Sequence, residues 1–401
     1  MTTNPTHTPK LRFSEFIEPW KNVALGEIAT FSKGKGISKS DIDPDGQTYC
    51  VRYGELYTSY DTIIDEPLSR TSVDPESLVL SEGGEVIVPA SGETAEDIAT
   101  AAVVIRPGVA LGGDLNIIQS HSDGGFLASY LSGKKRMTLA SMAQGNSVVH
   151  LYPTQLSTLR IGLPTHSEQS KIAAFLESVD KKITQISKKK ALLEDYKKGC
   201  MQQLLSQAIR FKDDNGKDFP NWEERQLGEI ATTFSGGTPL SSNRSYYEGH
   251  IPFIGSGDIA STYVGQRISE EALAASSAKL VSAGDLLYAL YGATSGEVAI
   301  SRISGAINQA VLCIRPTENP LFLFHWLRHS KEKITATYLQ GGQGNLSGNI
   351  VKSLRIPLPH PDEQRKIADF LTTLDTKIHL ISEELELAQT FKKGLLQQMF
   401  V

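Results

Sequence analysis

The sequence predicts an α+β protein in which two compact mixed domains alternate with two long helices. Three observations predict this. One long segment occurs twice, both copies carry an apolar stripe at helical spacing, and the stretches between them are short β-rich runs broken by glycine and polar loops.

Residues 161–205 and 356–400 align without a gap at an offset of 195 and agree at 21 of 45 positions. The shared letters include Leu-Pro, Glu-Gln-x-Lys-Ile-Ala, Phe-Leu, Asp-x-Lys-Ile and Lys-Lys-Gly. A shorter echo opens each half, where Trp20 begins WKNVALGEIATFSKG and Trp222 begins WEERQLGEIATTFSGG. Gln144-Gly145-Asn146 is echoed by Gln343-Gly344-Asn345. The offset changes from 202 to 199 to 195 along the chain, which marks loops of different length between matched elements. The middles, residues 33–140 and 235–340, share little further resemblance in sequence, so the frame repeats while its contents differ.

Each copy of the long segment reads as one helix. The second carries Ile367, Leu371, Leu374, Ile378, Ile381 and Leu385, then Ala388, Leu395 and Met399, with Lys392 on the seam. The first carries Ile172, Leu176, Val179, Ile183, Ile186 and Leu193, then Cys200 and Leu204, with Lys190 and Lys197 interrupting. Spacings that alternate four and three are the heptad rule of a coiled-coil seam. Glu168 in one copy, and Asp362 and Glu363 in the other, are read as first-turn acids matched to the helix dipole. A helix of ~38 residues runs ~57 Å, and two such helices with one apolar seam each most simply bury against one another. The predicted divisions are 1–160, 161–210, 211–355 and 356–401. In the middles, strands are expected near Tyr49–Tyr53, Glu85–Val88, Ala101–Ile105, Pro252–Ile254, Asp285–Leu290 and Ala310–Ile314, with modest helices near Phe126–Leu131 and Leu321–His329.

Composition excludes several classes. Cys50, Cys200 and Cys313 form no close pair, against a disulfide scaffold or a thiolate zinc site. No apolar run approaches the ~18 residues of a membrane span, and the first residues lack the apolar core of a signal peptide, so a cytoplasmic protein is expected. Neither a phosphate-binding glycine loop, an HExxH helix, a GxSxG elbow nor a dinucleotide fingerprint is present. His325 and His329 are read as a helix face rather than a metal site, and Pro361-Asp362-Glu363 with Lys366 as a helix start rather than a nuclease signature. No enzyme is expected.

Two divergent domains, each followed by a repeated helix, resemble the specificity subunit of type I restriction-modification systems. The resemblance rests on the two IxLPxxxEQxKIAxFL openings (Ile161–Leu176, Ile356–Leu371), the two LGEIAT strings, and Phe234–Pro239, Ile251–Ile254, Gly284–Leu287, Gly292–Thr294, Asn308–Ala310 and Gly84–Thr94. It implies that each middle is a target-recognition domain reading half of an asymmetric bipartite site in double-stranded DNA. It implies too that the helices pair antiparallel in a pseudo-two-fold arrangement, set the spacing of the half-sites and dock two methyltransferase subunits, through which restriction subunits join in defence against foreign DNA. No cofactor is expected in this chain; S-adenosylmethionine, ATP and Mg2+ belong to the partners, and the chain lacks an Asn/Asp-Pro-Pro-Phe/Tyr methyltransferase motif, Asn319-Pro320-Leu321-Phe322 not being one.

Base edges and phosphates draw on Arg, Lys, Asn, Gln, Ser and Thr. The candidates are Ser32, Lys33, Lys35, Arg52, Tyr53, Lys134, Lys135, Arg136, Gln144 and Asn146 in the first domain. In the second they are Thr238, Ser241, Asn243, Arg244, Tyr246, Gln343 and Asn345. The Gly-Gly-Thr-Pro segment is also read as a structural turn, and Lys188–Lys190 as a solvated face. Net charge is −5, with +3 on residues 161–205 and −2 on 356–401, so the domains carry no basic surplus. The isolated chain should therefore bind DNA weakly and salt-sensitively. The alternative from another class is a coiled-coil adaptor without DNA readout.

Overall fold

A computed structural model describes residues 8–145, 148–338 and 345–401. The chain divides into two compact units, Met1–Lys188 with Ser382–Val401, and Lys189–Ile381. Each unit therefore holds one middle, the start of one long helix and the end of the other; the helices run His166–Leu205 and Pro361–Gln398.

In the first unit a five-stranded sheet has the order Ala29–Lys33, Leu115–Ser120, Glu85–Pro89, Ala102–Val104, Ile63–Ile64. Its central strands are apolar at successive positions because both faces are covered. Val86, Val88 and Ile118 enter a core with Trp20, Phe126, Tyr130, Ile172 and Leu176. Ile87 and Ile117 point the other way, into a core with Val51, Leu56 and Leu111. A second sheet, in the order Ser69–Thr71, Thr48–Val51, Ala110–Leu111, supplies that outer cover.

The second unit repeats the plan. Its main sheet runs Ala231–Ser235, Val311–Pro316, Leu286–Ala289, Val298–Ile300, and its smaller sheet Arg267–Ile268, Ile251–Ile254, Gly305–Ile307, Lys279–Val281. In both small sheets one pairing is parallel, Cys50 opposite Ala110 and Phe253 opposite Ala306. Gly84 and Gly284 enter equivalent strands at φ +99° and +97°, a region that favours glycine. Leu286, Tyr288, Leu312 and Ile314 face the helix side, and Leu287, Ala289, Val311 and Cys313 the other. The two middles, both expected to be compact α+β domains, thus differ in their letters and share a fold. Strands of two to six residues carry too few positions for topology to register as identity. The expected strands are present within a residue or two, and the modest helices span Gly124–Ser132 and Pro320–Tyr338, the second longer than expected.

A two-stranded ribbon closes each unit, Lys21–Ala24 against Arg160–Leu163 and Glu223–Gln226 against Arg355–Leu358, antiparallel in both. Residues 160–163 are thus strand, and the first long helix starts at His166.

The acids stand in the first turns as expected, and two of them do more than match the helix dipole. Glu168 and Glu363 are buried, at 1% and 0% exposure. Arg12 donates Nε and Nη2 to Glu168 at 2.7 and 2.8 Å, and Trp20 Nε1 donates at 3.1 Å. Arg210 donates to Glu363 at 3.0 and 2.7 Å, and Trp222 Nε1 at 3.0 Å. Next along, Gln169 and Gln364 each donate to a proline carbonyl, Pro164 and Pro359, at 2.9 Å, and each accepts the backbone N–H that opens the neighbouring helix, from Asp123 and Asn319. The Glu-Gln of the repeated motif is thus a buried clamp. It binds the two tryptophans that open the LGEIAT echo, Trp20 and Trp222, and a further repeated string that sequence comparison missed, Leu11-Arg12-Phe13 with Ile209-Arg210-Phe211. Among the described residues no group of three or more potential metal ligands occurs.

The long helices run antiparallel where they meet. In the first unit Lys392 Nζ lies 2.5 Å from Asp180. In the second, Lys197 pairs with Asp375. The two pairs are equivalent under the repeat, so these seam lysines are partnered across the helices rather than interruptions, whereas Lys190 lies 3.9 Å from Glu194 of its own helix. Ile172, Leu176, Ile186, Ile367, Leu371, Leu374 and Ile381 are buried, while Val179, Ile183, Leu193, Ile378 and Leu385 are half-buried. Ile172 and Leu176 pack with Leu395 and Met399, and Ile367 and Leu371 with Leu204 and Leu205.

His325 is fully buried beside the Lys197–Asp375 pair and shares a 3.2 Å hydrogen bond with Thr372. Burial, then the Lys197 charge, pushes its pKa down from 6.5 to about 4, against the pull of Asp375. The unfolded chain therefore binds this proton more readily than the folded one, so stability rises with pH between about 4 and 6.5. Urea denaturation of the full chain should show about 2 kcal/mol lost from pH 6.5 to pH 5, and His325→Phe should remove that component. An equal loss in the variant would show that the slope originates elsewhere.

Candidate nucleic-acid interface

In the first domain one end of the main sheet gathers most of the candidates. Lys33 ends the strand Ala29–Lys33, and its ammonium lies 5.9 Å from the Tyr152 ring centroid. Tyr152 stacks on His150 at 6.2 Å, and His150 exchanges both backbone hydrogen bonds with Gln144, at 2.8 and 2.9 Å. His150 and Tyr152 were not singled out from sequence; aromatic residues next to a polar loop were the available signal. Ser32 is exposed one position earlier. Lys35 N–H donates to Leu111 O, Gly112 N–H to Val51 O and Gly113 N–H to Gly36 O, each at 2.9 Å. These bonds bind three loops into one rim, on which Arg52 and Tyr53 directly follow Val51. Gly34 is required there, because a Cβ would stand 2.0 Å from Gly112 O.

The run Lys134–Arg136 is engaged differently. Lys135 is half-buried, 5.5 Å from the Tyr130 ring centroid, and burial followed by the neighbouring Lys134 charge lowers its pKa. Arg136 Nη2 donates to Glu96 O at 3.4 Å. Among the described residues, no hydrogen bond or ring contact joins this run to the rim. Asn146 and Gln343 lie outside the described residues.

In the second domain Gly236 N–H donates to Asn308 O at 3.2 Å, and a Cβ on Gly236 would stand 1.7 Å from Ile307 O. The Gly-Gly-Thr-Pro segment is therefore a close-packed turn, and it places Thr238 Oγ1 2.5 Å from Gln309 Oε1. Asn308 and Gln309, which carried the family resemblance but were not among the candidates, join the rim here. Asn243 Oδ1 accepts from Ser245 N and Oγ at 3.2 and 2.8 Å, capping the short turn that holds Arg244. Tyr246 is half-buried against the Ile251–Phe253–Ile268 cluster. Both thus have structural tasks, while Ser241 and Arg244 are exposed. Asn345 is exposed and bridges to Tyr291.

The parallel strand pair puts the two rims in correspondence. Val51 pairs with Leu111, and Ile254 with Ile307. Arg52 therefore corresponds to Gly255, and Gly112-Gly113 to Asn308-Gln309. Arg52 N–H donates to Glu55 at 2.9 Å and Gly255 N–H to Asp258 at 3.3 Å, so the backbone turn is shared. At one position of one fold, the large polar side chain comes from the first strand in one domain and from the second in the other.

A cleft of about 680 Å3 opens on the first rim, lined by Ser38, Lys39, Arg52, Tyr53 and Thr58 among others. A larger one, about 960 Å3, lies by Gly26–Thr30 and carries Glu27, Glu82 and Glu85. The smaller cleft also holds three carboxylates, Asp41, Glu55 and Asp114, but sets Lys39 and Arg52 beside them, whereas no lysine or arginine lines the larger, which makes the larger the less suited to a phosphate backbone.

One repeated frame with two non-equivalent polar rims defines a duplicated recognition protein, in which the fold is held constant and the exposed side chains differ. The chain belongs to the family described as type I restriction modification DNA specificity domain, whose model matches residues 17–195 and again 220–389. Relatives that it matches are named specificity subunits of type I restriction enzymes. It is similar to the MjaX specificity subunit of Methanocaldococcus jannaschii, with 28% identity over 61% of this chain and 59% of that one. The match thus spans about six-tenths of that relative. With the MjaVIII specificity subunit of the same organism it is 24% identical over 94% of this chain and 91% of that one. The crystal structure of the type I S subunit from M. genitalium has the same fold, at a TM-score of 0.66 and 17% identity over 98% and 99% of the two chains. No helix of the described residues is long and apolar enough to cross a membrane.

Proposed function

We propose that residues 1–160 and 211–355 are target-recognition domains, each reading one half of an asymmetric, gapped site in double-stranded DNA. Residues 161–210 and 356–401 space them and dock two methyltransferase subunits, through which restriction subunits join. The observation that carries this reading is the pair of rims. A symmetric dimer would present the same side chains twice and read a palindrome, whereas one fold bearing Arg52 in one copy and Asn308-Gln309 in the other suits two different half-sites. The candidates at the two rims then supply base and phosphate contacts. The chain acts in the cytoplasm, and S-adenosylmethionine, ATP and Mg2+ are bound by the partners.

Support for docking comes from the helices. Leu192 and Tyr196 on the first, and Leu387 and Phe391 on the second, are 55–71% exposed. They occupy equivalent positions of the repeat, and each pair sits at i,i+4, on one helix face. An apolar pair left exposed at the same place twice suits one kind of partner bound twice.

The test is single-molecule methylome sequencing of a host expressing the chain with its methyltransferase, against the same host lacking the chain. A new asymmetric, gapped motif bearing N6-methyladenine is expected. No new motif, with a stable complex confirmed by co-purification, would move the reading to an adaptor.

A further inference from the structure

We infer that Arg52 is a base-reading residue of the first domain and that it selects a guanine. The inference rests on the bipartite-reading proposal and names one determinant within it.

Arg52 stands apart from the other cations of its rim in how it is held. Its Nη2 donates to Glu55 Oε1 at 3.2 Å, and its backbone N–H donates to Oε2 of the same carboxylate at 2.9 Å. Glu55 is buried, and Ser69 Oγ donates to its Oε1 at 2.5 Å. The carboxylate is therefore fixed in place, and it fixes the arginine. Lys33 and Lys35 are exposed and carry flexible ammonium groups. A phosphate contact needs a positive charge but little orientation, whereas reading a base edge needs a planar fork held in one attitude.

The surroundings leave room for a ligand. Gly112 faces Arg52 beyond the end of the parallel strand pair. A Cβ on Gly112 would lie 3.4 Å from Arg52 Cα and 3.8 Å from its Cγ, so the absence of side chains there keeps the arginine uncovered. Arg52 lines the 680 Å3 cleft with Tyr53 and Lys39, and its side chain is 27% exposed. Its Nε is buried and so closed to a ligand, which leaves the Nη groups as the donors presented at the rim. A clamped guanidinium with donors to spare, on an open rim, matches the two acceptors that guanine presents in the major groove, O6 and N7. In the second domain the same position is Gly255, so this determinant belongs to one half-site alone.

The experiment is the methylome comparison repeated with Arg52→Ala, Arg52→Lys and Glu55→Gln. The wild-type motif should contain a guanine in the half-site read by the first domain. Arg52→Ala and Arg52→Lys should lower the preference for guanine at one position of that half-site by about tenfold to a hundredfold, leaving the other half-site intact. Glu55→Gln should relax the same position less. A lysine that keeps the charge but not the fork separates base reading from phosphate binding. If Arg52→Lys methylates the unaltered motif at the wild-type level, or lowers methylation equally at every sequence, the inference is overturned. Should Arg52→Ala fail to co-purify with the methyltransferase, the lysine and Glu55 variants decide alone. A wild-type motif without guanine in either half-site also overturns it. No wild-type motif at all would instead fail the bipartite reading.

Discussion

Glu168→Ala is expected to destabilise the protein by about 3–5 kcal/mol, and Glu363→Ala by a similar amount. Each carboxylate sits at the first turn of a long helix and receives two donors of one arginine and the indole N–H of one tryptophan. Removing it strands a guanidinium with side-chain exposure of 11% at Arg12 or 23% at Arg210, together with an indole donor. The loss exceeds the net worth of the ion pair, because the groups left behind have been taken out of water without a partner. Both guanidinium pKa values are raised, chiefly by the hydrogen bond to the glutamate, in the direction this argument requires. Urea denaturation of each variant measures the effect. Glutamine at either position keeps an acceptor but not the charge and should fall between alanine and wild type. The two losses should add within about 0.5 kcal/mol, since the clamps lie in different units with no shared partner. A loss below about 1 kcal/mol for either alanine variant would show the clamp to be incidental.

Replacing Leu192 and Tyr196 together by serine should remove one methyltransferase from the assembly, and replacing Leu387 and Phe391 should remove one as well. Exposed apolar anchors of this type, Tyr and Phe above all, carry about 2 kcal/mol or more each when buried by a partner, or roughly thirtyfold in affinity. Native mass spectrometry of the co-expressed complex should fall from two methyltransferases per chain to one with either pair replaced, and to none with both. Because all four side chains are exposed in the chain itself, its denaturation midpoint should move little. Two methyltransferases still bound with all four replaced would place docking elsewhere and leave the exposed pairs without a role.

Much of the architecture was legible because its signals are local or duplicated. The heptad seam shows as spacing within one segment, and the matched segments 161–205 and 356–400 announce themselves by identity. The lysines on the seam were visible, but their partners were not. Lys197 meets Asp375, and Lys392 meets Asp180, across nearly half the chain. The buried clamp was out of sight for the same reason. A first-turn glutamate has an adequate explanation in its own helix, and nothing near Glu168 in sequence points to Arg12 or Trp20, 156 and 148 residues away.

The candidate interface divides along the same line. A duplicated α+β frame, its two long helices and the polar, glycine-bounded loops in which candidates lie are legible from the residues alone. Periodicity, repetition and residue type are all properties of short stretches. Tertiary structure alone decided that the two dissimilar middles share one topology. It set Asn243 and Tyr246 to structural work and brought His150, Tyr152, Asn308 and Gln309 to the rims. It also decided that Arg52 is held by a buried carboxylate beside Gly112. Those outcomes depend on strand pairing between distant segments. In a short strand, many sequences can satisfy the same backbone hydrogen bonds, so the ladder is conserved in space while the letters that form it are free to change.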